Sequence, residues 1–100
     1  MSLENIMNDD QLERSLQSIG KSCFVEYFEM FTNSSISNED LIDILMKNES
    51  YMESGAKTRV SQSRRIIKSG RAKDALKIIS SSNKVPDAIS NKARELAASM

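Results

Sequence analysis

Apolar residues return every three or four positions in one stretch after another of this chain, the period of an amphipathic α-helix. Leu12, Leu16 and Ile19 share a face of a segment expected over residues 9–19, opened by Asp9 and Asp10 and closed by Gly20. Phe24, Tyr27, Phe28 and Phe31 follow at i, i+3, i+4, i+7 spacing, which predicts a central core helix over 21–32. Asn33, Ser34 and Ser35 break that pattern as a polar loop. Ser37 with Asp40 resembles a capping box and starts a third segment, striped by Leu41, Ile44 and Leu45. Residues 48–52 are expected as a turn.

Three more segments complete the pattern. A fourth is expected over 54–69, with Ala56, Val60, Ser63 and Ile67 in phase and Gly70 as its stop. A fifth covers 71–79, with Ala72, Ala75, Leu76 and Ile79 facing inward. The sixth opens at Val85-Pro86-Asp87, since proline is tolerated in a first helical turn and an acid is favoured there. Its buried side is marked by Val85, Ile89, Ala93, Leu96 and Met100. With one proline, three glycines and five aromatic residues, the chain lacks the turn punctuation of an all-β design. The expected fold is therefore all-α: a compact bundle of five to six short helices, forming a single domain over 1–100 with residues 1–8 disordered.

Several functional classes drop out on chemistry. The chain has no histidine and one cysteine, so it lacks the commonest general base and cannot build a zinc site of the usual kind. The glycines are isolated, so no phosphate-cradling glycine loop exists. No cofactor, metal or catalytic role is expected. The lone thiol of Cys23 suits a reducing compartment and reads as a buried structural group. The acidic N-terminus has no basic segment followed by an apolar one, and no apolar run approaches the ~20 residues needed to span a bilayer. A cytoplasmic protein without membrane contact is expected. Met7, Met30, Met46 and Met52 are read as gap-fillers of the core rather than an adaptable binding surface.

Charge is the one unusual feature. Residues 1–55 hold eleven acids and three bases, and residues 56–100 hold eleven bases and three acids. The zero net charge thus hides a −8 half and a +8 half. On a wheel of roughly 100° per residue, Lys57, Arg64 and Lys68 of the fourth segment cluster about a quarter-turn from its apolar stripe, with Ser61 and Arg65 beside them. Arginine, lysine, serine, threonine and glutamine are the side chains that meet phosphates and base edges. The third and fourth segments together are loosely similar to a helix-turn-helix pair, whose second helix enters the major groove. The turn glycine of that arrangement has no counterpart, because residues 47–51 contain none.

These observations narrow function to two kinds of binding module. The first is a small DNA-binding or nucleic-acid-associated regulatory protein, with Lys57, Arg59, Arg64, Arg65, Lys68 and Arg71 as contacts. The second is a protein-interaction or adaptor domain, able to self-associate through its complementary halves. Against the first stand a pI near 6.3 and the prospect that the acidic half neutralises the basic half within one molecule. The aromatic stripe lies among Glu26 and Glu29 and is assigned to the core, not to base stacking.

Overall fold

The turn signals divide the chain almost where expected. In the computed structural model, which describes residues 7–100, seven helices follow in order. They are α1 Asp9–Ile19, α2 Lys21–Glu26, α3 Phe28–Thr32, α4 Asn38–Glu49, α5 Glu53–Lys68, α6 Ala72–Ser80 and α7 Asp87–Ala98. No strand occurs among the described residues, and the fold is an all-α bundle. Of residues 1–8, expected to be disordered, 1–6 lie outside the described ones, and Met7 and Asn8 are ordered instead. Met7 is buried in the core, and Asn8 caps α1 through a reciprocal pair with Gln11: Gln11 N donates to Asn8 Oδ1 at 2.8 Å and Asn8 N to Gln11 Oε1 at 3.0 Å.

The seventh helix arises because the aromatic segment is broken in the middle. Tyr27 adopts φ −106° and ψ 14°, outside the helical region, and separates α2 from α3. The break leaves the stripe intact, since Phe24, Tyr27, Phe28 and Phe31 are all buried. Phe24 meets Phe28 edge-on at 5.5 Å between centroids and stacks on Phe31 at 6.3 Å. The Tyr27 hydroxyl donates to Glu49 Oε2 at 2.8 Å, tying the break to the end of α4.

Helix α5 is the hub of the bundle and packs against α1, α3, α4 and α6, while α6 and α7 pair with each other and α7 also meets α2. Its buried residues are Ala56, Val60, Ser63 and Ile66. Ile66 thus replaces the expected Ile67, which is half-buried; a helix with neighbours on several sides buries more than one narrow stripe. Ser15 Oγ donates to Gln62 Oε1 at 2.8 Å across the α1–α5 contact. Two methionines expected inside lie outside the core: Met52, read as a gap-filler, is 79% exposed, and Met100, placed on the buried side of the last helix, is 55% exposed.

The ends of α4 and α5 shape the site. Ser37 Oγ accepts from Asp40 N at 3.1 Å, as the capping pattern predicts. Ser50 ends α4 at φ 59°, ψ 25°, the left-handed conformation that glycine usually supplies, and residues 50–52 then lead directly into α5. Gly70 takes φ 77° at the end of α5, and Arg71 N reaches back to Ile66 O.

Candidate nucleic-acid interface

The exposed side of α5 carries a continuous stripe. Ser54, Lys57, Thr58, Ser61, Arg65 and Lys68 are all exposed and follow the helical period along one side, opposite the face buried on α1 and α4. From Ser54 to Lys68 the stripe runs ~21 Å along the helix. It contains three cations and three hydroxyls, and the one helical carboxylate, Glu53, precedes it. Thr58 Oγ1 donates to Ser54 O at 3.0 Å, so part of its hydroxyl capacity is used within the helix.

The six cations expected to form the contact fall into different environments. Lys57 Nζ lies 2.9 Å from Glu53 Oε1, with both side chains more than 60% exposed, and this contact holds the Glu53 carboxyl below its ordinary value. Arg65 and Lys68 project into water at the end of the stripe. Arg59 lies on another side of α5. Its guanidinium carbon stands 3.8 Å from the centroid of the Tyr51 ring, and its Nη1 donates to Gly55 O at 3.1 Å.

Arg64 has a structural task. Its guanidinium donates to Phe31 O at 3.3 Å, Ile36 O at 2.7 Å, Asn33 O at 3.1 Å, Met30 O at 3.4 Å and Asn38 Oδ1 at 2.5 Å. The carbonyls at the end of a helix have no intrahelical partner, and here one side chain gathers those of α3 and its loop. Arg71 is likewise engaged. It donates to Met7 O, to Asp9 Oδ1 at 2.6 Å and to Asp74 Oδ2 at 2.9 Å, and Asp9 above all keeps it more firmly protonated than usual. Among the described residues, Arg71 is the one cation of residues 56–100 within 4 Å of a carboxylate on another helix.

The structure brings Arg64, Arg65 and Lys68 together along a groove of about 520 Å³ between α5 and the α3–α4 loop. Ser61 and Ser69 line it from the α5 side, and Thr32, Ser34 and Asn38 from the other. Met7, Phe31 and Ile67 supply its apolar surface. Lys57, Arg59 and Arg71 lie outside it. The loop residues carry no sequence signal, because they reach the groove through tertiary packing.

Cys23 is held as a neutral thiol. It is buried, and burial pushes its thiol up to about 11, against the smaller opposing influence of the Tyr51 hydroxyl and Arg59. No described helix is long and apolar enough to cross a membrane. Comparison with known protein families, with curated proteins and with solved structures gives no match to this chain.

Proposed function

We propose that the protein is a small nucleic-acid-binding regulator that lays the exposed face of α5 against duplex DNA. One observation carries this reading: Lys57, Arg65 and Lys68 alternate with Ser54, Thr58 and Ser61 on a helical face that holds no carboxylate beyond Glu53. Cations neutralise phosphates, and short hydroxyls let a helix approach the backbone closely. Arg64, Arg59 and Arg71 support that face from behind, through the loop, the Tyr51 ring and α1. The acids of the first half orient the molecule, because a chain with separated charge presents its basic side to a polyanion. The reading assigns no catalysis and places the protein in the cytoplasm, where a single buried thiol stays reduced.

Binding by counterion release falls steeply with salt. Fluorescence anisotropy of a labelled duplex is expected to show binding at low salt that weakens by an order of magnitude or more at moderate salt. No binding at low salt, or binding indifferent to salt, removes the proposal.

A second reading draws on α4, where Glu39, Asp40 and Asp43 stand exposed and oppose the α5 stripe in sign. A second copy is the natural partner for such a pair of surfaces. Sedimentation across a salt series separates the two: salt-sensitive self-association without duplex binding favours an adaptor.

A further inference from the structure

The groove beside α5 is concave where the stripe is convex, and its volume of about 520 Å³ lies within the range of small-molecule sites, roughly 300–1,000 Å³. Its charge has one sign. Arg64, Arg65 and Lys68 line it, and no described carboxylate does. Arg64 sharpens the point, because every acceptor it meets is neutral. Carbonyl dipoles satisfy its N–H groups but leave its full positive charge without a counter-ion in a half-buried position. An anion is the chemical species this cluster lacks.

The rest of the lining says what the anion is attached to. Ser34 and Ser61 stand exposed at the rim, where hydroxyls can meet ester oxygens. Ile67, with Met7 and Phe31 buried behind it, gives the groove an apolar side that bare phosphate would leave unused. We propose that the groove binds a small phosphate monoester bearing an apolar or aromatic group, a class in which a nucleoside monophosphate is a simple member. The phosphate sits with Arg65 and Lys68 beside the Arg64 charge, and the ring lies against Ile67. This site does not depend on duplex binding by the stripe, although Ser61, Arg65 and Lys68 border both.

The test is a titration of the isotope-labelled full chain with adenosine 5′-monophosphate, followed by NMR, with adenosine, inorganic phosphate and a short duplex as separate arms. The expected result is a set of amide shifts centred on Ser34 and residues 67–69, with the monophosphate binding about tenfold or more tightly than adenosine. Ser34→Glu, on an exposed loop, places a carboxylate in the groove and is expected to abolish binding with an unchanged circular dichroism spectrum. Lys57→Ala, outside the groove, is expected to leave monophosphate binding intact while weakening the duplex. Equal binding of adenosine, shifts confined to other surfaces, or undiminished binding by Ser34→Glu would each overturn the proposal. Inorganic phosphate binding as tightly as the monophosphate overturns the assignment of an ester. Monophosphate binding without duplex binding refutes the α5 interface alone, and duplex binding without monophosphate binding refutes the groove alone.

Discussion

In the first half of the chain Glu13, Glu26, Glu29, Glu39, Asp40 and Asp43 stand exposed along α1 to α4, while in the second half three arginines are drawn inward and most other cations stay exposed. Lys57, Lys68, Lys73, Lys77 and Lys84 remain in water. Arg59, Arg64 and Arg71 are drawn partly inward, onto a ring, a set of carbonyls and a carboxylate. A guanidinium is planar, weakly hydrated and forked, so it can serve several acceptors at once where an ammonium stays solvated. The comparison teaches that a count of eleven bases overstates the free cationic surface. Three arginines build the support, and most of the lysines, with Arg65 and Arg94, are left exposed.

The sharpest way to break this division is to remove an arginine assigned to the support. Arg64→Ala removes a donor from four main-chain carbonyls, leaving Phe31 O and Ile36 O without one while Met30 O and Asn33 O keep their backbone partners, and is expected to cost about 2 kcal/mol in urea denaturation. Arg64→Lys should recover little of it, because a single ammonium cannot span those acceptors. Arg65→Ala next to it should leave stability within about 0.5 kcal/mol of wild type. Equal losses at the two positions would erase the distinction between support and free surface.

A second contrast sets the charged surface against the buried neutral acids beneath it. Burial raises the Cys23 thiol from 9.0 to about 11, and the Tyr27 hydroxyl, desolvated and beside Glu49, from 10.0 to about 12. Unfolded chains release these protons first as pH rises, so the unfolded state gains and the fold loses stability through those windows. Denaturation midpoints are expected to hold steady below about pH 9 and to fall above it. A flat profile to about pH 11 would show that neither group is shielded.

Within α5, the two faces predict effects of opposite sign and declining size. Ser63 is fully buried, and its hydroxyl has no partner among the described residues. Ser63→Ala is therefore expected to raise stability by up to about 1 kcal/mol in the same assay, and a loss of that size would show that the hydroxyl is satisfied. On the opposite side, Lys57→Ala removes an exposed i,i+4 pair with Glu53 and should change stability by less than about 0.5 kcal/mol.

Most of the helical plan was legible because its punctuation is local. Gly20, Gly70 and Pro86 mark ends that the backbone itself requires, and the Ser37 cap depends only on a residue three positions on. The break at Tyr27 was not legible, since the aromatic period runs straight through it. The exchange of Ile67 for Ile66 follows from packing on several sides, which a single wheel does not encode. On the exposed side of α5, spacing placed Lys57, Arg64 and Lys68 in one row with Arg65 beside them, and of these Lys57, Arg65 and Lys68 are exposed while Arg64 is half-buried. The tasks of Arg64 and Arg59 were hidden, because their partners are main-chain carbonyls of a distant loop and the face of Tyr51.

The most direct measurement compares salt slopes of duplex affinity for wild type, for Arg65→Ala with Lys68→Ala, and for Lys73→Ala with Lys77→Ala on α6. Each phosphate contact contributes about 0.9 to the slope, so the α5 double variant should lower it by roughly 2 while the α6 pair leaves it nearly unchanged. An unaltered slope for the α5 pair, or an equal drop for both pairs, would contradict the account.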